Sequence, residues 1–340
     1  MASGESPGLR GLSDRMKPSS PIRNGQVIRL TAIVGFMLLG DLVVPHGSLL
    51  PGARAEVTEE QRRMPIEVDA PDAKLAKIVL LAGSPSNKAG QHEYFAGCAL
   101  MMGWLKQNPG VWPVLVADGW PKNEAILDGA RAIVCFADGG PKLPFLAPAR
   151  WEKMRALLAS GTGFVMLHQA VDVPEAQAPE MQAWLGGAWT KDIGCRGHWD
   201  MEFDPATTGA KHPVLAGLQP FAAPLDGWLF NLHFAERGVT PLLAGVVPDK
   251  VRTTADAQSH AGRAETVAWA FERANGGRSF AFTGCDLHRN WQLESQRRLV
   301  INGLLWTAKL DVPADGTKVA FDPADLAKNL DAKPAPPPAK

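Results

Sequence analysis

Histidines placed where apolar runs stop are the residues of this chain best suited to chemistry. The run 163–167 ends at His168-Gln169-Ala170, and a polar residue that terminates a buried strand is where an open α/β fold carries a nucleophile or an acid/base group. An earlier run, 78–82, leads through Ser84-Pro85-Ser86 to Gly90-Gln91-His92-Glu93-Tyr94. There a glycine turn delivers an imidazole and a carboxylate to a helix start, whose amides favour an anion or a developing oxyanion. Histidine titrates near neutrality and suits proton transfer. His168 and His92 are therefore expected acid/base residues and Glu93 an orienting carboxylate. The competing structural reading is a core imidazole bonded to backbone, and a glutamate that only complements the helix dipole.

Further polar groups follow other runs. Asp138-Gly139-Gly140-Pro141 pairs a carboxylate with glycines that let backbone approach a ligand, a signal any tight turn also gives. In His198-Trp199-Asp200-Met201-Glu202-Phe203, period-two alternation puts His198, Asp200 and Glu202 on one strand face. Ligands at i and i+4 of a strand lie too far apart to share one small ion, so only His198 is kept and no residue is assigned to a metal or cofactor. His212-Pro213, His233 and Asp286-Leu287-His288-Arg289-Asn290-Trp291 come later. Tryptophan beside polar groups suits sugars, whose C–H faces pack on rings while hydroxyls take hydrogen bonds; most of the 11 Trp could equally be core. Cys98, Cys135, Cys195 and Cys285 show no C-x-x-C or zinc-ribbon spacing and read as buried thiols, with one bridge allowed.

The elements that must position these groups alternate. Short apolar runs at 78–82, 111–116, 130–137 and 163–167 are separated by helix-type patterns at 92–107 and 148–159, which indicates a parallel sheet covered on both faces. Ligands of such sheets collect at the carboxyl ends of the strands. Strand candidates at 198–203, 228–234, 241–246, 266–271 and 279–283 are read as completing the same sheet, and a helix over 296–309 closes it.

Charge is balanced, with 35 basic and 35 acidic residues, so a nucleic-acid partner is not expected. Arg10, Arg15, Lys17, Arg23 and Arg29 precede an apolar stretch, and Ala53-Arg54-Ala55 offers a small-x-small cleavage site. Residues 1–55 thus read as a signal peptide directing export to the periplasm or beyond. Asp41 interrupts the apolar stretch, which falls short of the ~20 residues of a stable membrane span. Met16 would give a more ordinary start. Residues 56–76 read as a linker, 77–311 as the domain and 312–340 as an extension whose tail, Lys333-Pro334-Ala335-Pro336-Pro337-Pro338, is expected to be disordered.

With these segments in place the chain resembles the ThuA-like (trehalose utilisation) family, related in fold to class I glutamine amidotransferases. The matching stretches are Lys77-Ile78-Val79-Leu80-Leu81-Ala82-Gly83, His92-Glu93-Tyr94, Gly163-Phe164-Val165-Met166-Leu167-His168, His212-Pro213-Val214-Leu215-Ala216-Gly217-Leu218, Thr266-Val267-Ala268-Trp269, and Gly277-Arg278 through Thr283-Gly284 to Leu304-Leu305-Trp306. The resemblance implies a flavodoxin-like three-layer sandwich with a mostly parallel sheet. It also implies a small-molecule carbohydrate as ligand, in settings where a partner sugar dehydrogenase makes 3-keto sugars. It does not imply glutaminase activity, because His168 stands where the amidotransferases carry a cysteine nucleophile. Relatives often have Gly and His where this chain has Cys285 and Asp286, and an acidic residue where Gly227 follows Asp226; His288, Asn290 and Trp291 match.

The expected function is an exported enzyme acting on a sugar or 3-keto sugar by isomerisation, epimerisation or elimination. His168, His92 and Glu93 carry it, and Tyr94, Asp138, Gly139, His198, His212, Asp226, Trp228, His288, Asn290 and Trp291 line the site. The alternatives are a non-catalytic sugar-binding or accessory domain and, behind it, a metal-dependent hydrolase.

Overall fold

The computed structural model describes residues 57–333; the signal-peptide reading of 1–55 and the proline run at 334–338 lie outside them. Runs apolar at every position are buried on both faces, and they form the centre of a seven-stranded sheet. Its strands are β1 (Ala76–Ala82), β2 (Val111–Val116), β3 (Ala132–Phe136), β4 (Gly163–Leu167), β9 (Val239–Val246), β10 (Ala264–Glu272) and β11 (Arg278–Phe282). The order is β2-β1-β3-β4-β11-β10-β9. The first five are parallel, while β10 runs antiparallel to β11 and β9 to β10. Five parallel strands in the order 2-1-3-4-5 are the flavodoxin-like arrangement.

Helices cover both faces. α1 (Tyr94–Leu105) and α5 (Glu294–Thr307) pack with Ile78 and Leu80 on one side. α2 (Pro148–Ala159) and α3 (Ala178–Leu185) pack with Val79, Leu81 and Phe164 on the other. α3 left little periodicity to read at eight residues, but it stops at Gly186 with φ 81°, a left-handed cap glycine supplies cheaply. The short α4 (Ala255–Ser259) begins at Thr254, whose side chain accepts the Ala257 amide.

One expectation needs correction. The alternating segment 198–203 does not join the main sheet. It lies in β6 (Cys195–Phe203), which pairs antiparallel only with β7 (Phe221–Phe230). Likewise β5 (Gly187–Ala188) pairs with β8 (His233–Phe234) in a second small ribbon, so 228–234 is split between ribbons. The reason is burial. A strand whose alternate residues are charged can cover a core with one face only, whereas the central strands are apolar on both. Trp199, Met201 and Phe203 face the core, and His198, Asp200 and Glu202 are exposed.

Segments flanking 77–311 pack onto the domain. Gln61 is buried and bonds the backbone of 329–330 and the Asp331 carboxylate. Asp331 accepts the Tyr94 amide and donates its own amide to Glu93. Burial raises the Asp331 pKa to about 6, against the pull of Lys333. A folded pKa above the unfolded one means that this group's stabilising contribution is full below about pH 4 and is lost as pH rises through 6. Relative to Asp331→Asn, which does not titrate, the wild type is expected to lose on the order of 2–3 kcal/mol between pH 4 and 7. Denaturant unfolding at several pH values reads this; a pH-independent difference between the two proteins would refute it.

Candidate active site

Four loops meet at the carboxyl edge of the parallel strands. His92 follows β1, Asp138 follows β3, His168 follows β4 and Asp286 follows β11. The Nε2 atoms of His92 and His168 lie 3.1 Å apart. Asp286 Oδ1 is 3.4 Å from the first and 3.7 Å from the second. All three side chains are buried, and both histidines hold left-handed backbone, with φ 48° and 55°. That conformation costs a non-glycine residue about 1 kcal/mol or more and collects at functional sites.

Each imidazole is gripped from behind. His168 Nδ1 lies 3.1 Å from the Thr283 carbonyl, which can only accept. His92 Nδ1 lies 2.9 Å from Asp138 Oδ1, and Ser86 and the Tyr94 hydroxyl donate to the same oxygen at 2.9 and 2.7 Å. Burial opposes the charge of Asp138, but hydrogen bonds from His92, Tyr94 and Ser86 outweigh it and hold the carboxyl well below the usual range. In neutral imidazoles both Nδ1 atoms would therefore carry the proton, leaving both Nε2 lone pairs toward the centre. Burial depresses the His168 pKa to about 4.

The fourth member is His198, whose Nε2 lies 2.6 Å from Asp286 Oδ2 and whose side chain is 52% exposed. Gln91 also donates to Oδ2, at 3.0 Å. An inner pocket of about 210 Å³ is lined by His92, His168, His198, Asp286, Arg196 and Trp228, among others. It adjoins, through His198, an outer cleft of about 900 Å³ walled by Gly90, Glu93, His288, Arg289, Leu326 and Asp331, a size that admits a small glycoside. Lys333 braces the His92 loop by donating to the carbonyls of Ser86, Gln91 and His92.

Of the residues singled out in the sequence, His92, His168, His198, Tyr94 and Asp138 converge here. Glu93 is turned toward the C-terminal segment, accepting the Gly90 and Asp331 amides. His288 lines the outer cleft, its pKa lowered to about 4 by burial. Trp228 contributes a buried wall. Others sit elsewhere. Trp291 is core, packed on Trp104 and Phe136. Asn290 is buried and donates to the Pro224 carbonyl. Gly139 packs so closely that a Cβ would come 2.1 Å from the Gln169 carbonyl. Asp226 is fully buried, and its carboxylate accepts the amides of Gly227, Cys285 and Leu287; it shapes the Asp286 turn. His212 accepts the Val214 amide and meets Trp306 edge to face; the Trp306 carbonyl accepts from Arg278 at the start of β11, hence at the opposite sheet edge. The four cysteines are free and buried. Asp286, Gln91 and Ser86 were missed, although Asp286 follows the apolar run of β11 at a distance of three residues.

Fold and site together define an open α/β domain with a histidine–carboxylate cluster at the carboxyl edge of its sheet. The ThuA family, described as trehalose utilisation, matches residues 86–307, and the chain belongs to that family. Among solved structures, a ThuA-like protein of Parabacteroides merdae is 14% identical, with a TM-score of 0.50 over 74% of this chain and 99% of that one. A ThuA-like protein of Bacteroides uniformis is 15% identical, with a TM-score of 0.47 over 71% and 94%. A glutamine amidotransferase of Thermotoga maritima is 12% identical, with a TM-score of 0.35 over 69% and 96%. No curated protein matches. No helix among the described residues is long and apolar enough to cross a membrane.

Proposed function

We propose that this protein acts on a keto sugar by proton transfer beside the carbonyl, as an isomerase, epimerase or lyase of carbohydrate metabolism. The observation that carries it is the convergence of three imidazoles and one carboxylate under a cleft of glycoside size. His198 is the proton carrier. With Nε2–H donated to Asp286, its Nδ1 is free to take a proton, and the carboxylate stabilises the imidazolium that results. His92 and His168 were the acid/base residues expected from sequence, but they are buried and face one another, which suits them to the floor beneath the carbonyl oxygen. When the C–H bond breaks, its electrons flow into the carbonyl and negative charge gathers on that oxygen, where a cation shared by the two Nε2 atoms, at the least a proton, would answer it. Return of the proton to another position, or departure of a β-oxygen, completes isomerisation or elimination. Family membership supports a carbohydrate substrate. The basic stretch, apolar run and small-x-small site within 1–55 support export, and a sugar-oxidising dehydrogenase would supply the ketone.

The test is to incubate the protein with a 3-keto disaccharide in D₂O. Deuterium is expected at the carbon next to the carbonyl, with product by NMR, and the parent disaccharide should exchange nothing. His198→Gln should slow exchange about 10²-fold or more. Binding without exchange or product would replace this reading with that of a sugar-binding accessory domain.

A further inference from the structure

We propose that His92, His168 and Asp286 bind one divalent transition-metal ion, through the two Nε2 atoms and Oδ1. This departs from the sequence expectation, which assigned no metal.

The donor triangle has the right size. Its edges are 3.1, 3.4 and 3.7 Å, and a triangle so proportioned leaves a point about 2.1 Å from every corner, the bond length of zinc and similar ions to imidazole and carboxylate. The three atoms also share one face of whatever they surround, and two imidazoles with one carboxylate is a donor set that holds iron(II) or zinc with further positions open. Those positions face the inner pocket.

Hydrogen-bond chemistry leads to the same point independently. The Thr283 carbonyl and the Asp138 carboxylate claim the Nδ1 protons, so two neutral imidazoles would confront each other at Nε2 as lone pairs. Asp286 Oδ1, on a residue 1% exposed, has no hydrogen-bond partner, although Oδ2 of the same group has two. Three acceptors aimed at one buried point repel unless a cation joins them. Outer partners of this kind, a carboxylate behind one imidazole and a backbone carbonyl behind the other, are what fixes ligand histidines in metal sites. The αL backbone of both histidines is strain that such a bond repays.

The inference deepens the proton-transfer reading, for the ion would take the charge gathering on the carbonyl oxygen, yet ion binding needs no sugar. Failure of one therefore leaves the other standing. The full protein is stripped with chelator and titrated with Co²⁺, read by visible ligand-field absorption, and with Zn²⁺ in competition with a chromophoric chelator. One equivalent is expected to bind. Asp286→Asn and His168→Asn should each weaken it about 100-fold or more, and Asp138→Asn, which acts from behind His92, about 10–100-fold. Glu202→Gln, on the exposed face of β6, should change nothing. Circular dichroism of each variant without ion establishes that it folds. Absence of saturable binding by folded wild type, or binding indifferent to Asp286→Asn in a folded variant, overturns the proposal and leaves a proton as the bridge.

Discussion

Replacing His168 by Asn is expected to lower turnover of a 3-keto disaccharide about 10²–10⁴-fold, His92→Asn by a similar factor, and the double variant by little more than either single change. The two imidazoles meet at 3.1 Å over one shared point, so removing either destroys what both create. Groups acting as a unit are non-additive in this way. Asparagine is the replacement of choice because φ values of 48° and 55° suit it better than alanine. Loss of the lone-pair repulsion offsets part of the packing lost, so stability should change by only about 1 kcal/mol. Initial rates across substrate concentration separate the effects: kcat should carry the loss, while KM changes little if the outer cleft supplies most of the binding. Factors that multiply in the double variant would mean that the two histidines act separately.

Much of this site was legible because the fold obeys one local rule. A run apolar at every position must be buried on both faces, and the residue that ends it stands at the sheet edge where ligands gather. His168 after 163–167 and His92 after 78–82 were found that way, and the structure brings them together. Asp286 obeys the same rule after β11, but Thr283, Gly284 and Cys285 intervene, so the strand fades before the carboxylate. What could not be read is pairing between distant segments. Alternation in 198–203 established which side chains face water, yet nothing local says that β6 pairs with β7 and swings His198 over Asp286. Nor does composition show that a proline-rich terminus begins with Asp331 and Lys333 anchored beside His92. The tryptophans illustrate the converse error. A sugar platform and a core residue look alike in sequence, and Trp291 is core.

Gly227 and Asp286 are neighbours across the cluster. A Cβ on Gly227 would come 2.6 Å from Asp286 Oδ2 and 2.8 Å from its Cβ. A side chain at 227 would therefore collide with Asp286 as it stands. Asp286 brings its carboxylate to the cluster from the turn after β11, and the absence of a side chain at 227 leaves room for it.

That turn depends on Asp226, and Asp226→Ala is expected to destabilise the protein by about 3–5 kcal/mol. The carboxylate is wholly buried and accepts the amides of Gly227, Cys285 and Leu287 at 2.9, 3.1 and 3.0 Å. Alanine would strand those N–H groups away from water, each at a cost of about 1–3 kcal/mol. The total is held below their sum because the buried charge is itself unfavourable: desolvation raises the Asp226 pKa to about 6 despite those bonds. Asp226→Asn separates charge from geometry. It keeps Oδ1 for Gly227 and Leu287 but turns an amide donor toward the Cys285 N–H, so it should recover about half of the loss. Denaturant unfolding measures both variants. Folded fractions should also lose turnover, since Asp286 sits between the two residues, Cys285 and Leu287, that Asp226 holds. An alanine variant within about 1 kcal/mol of wild type would show that water replaces the carboxylate, and the turn would then owe its shape to packing alone.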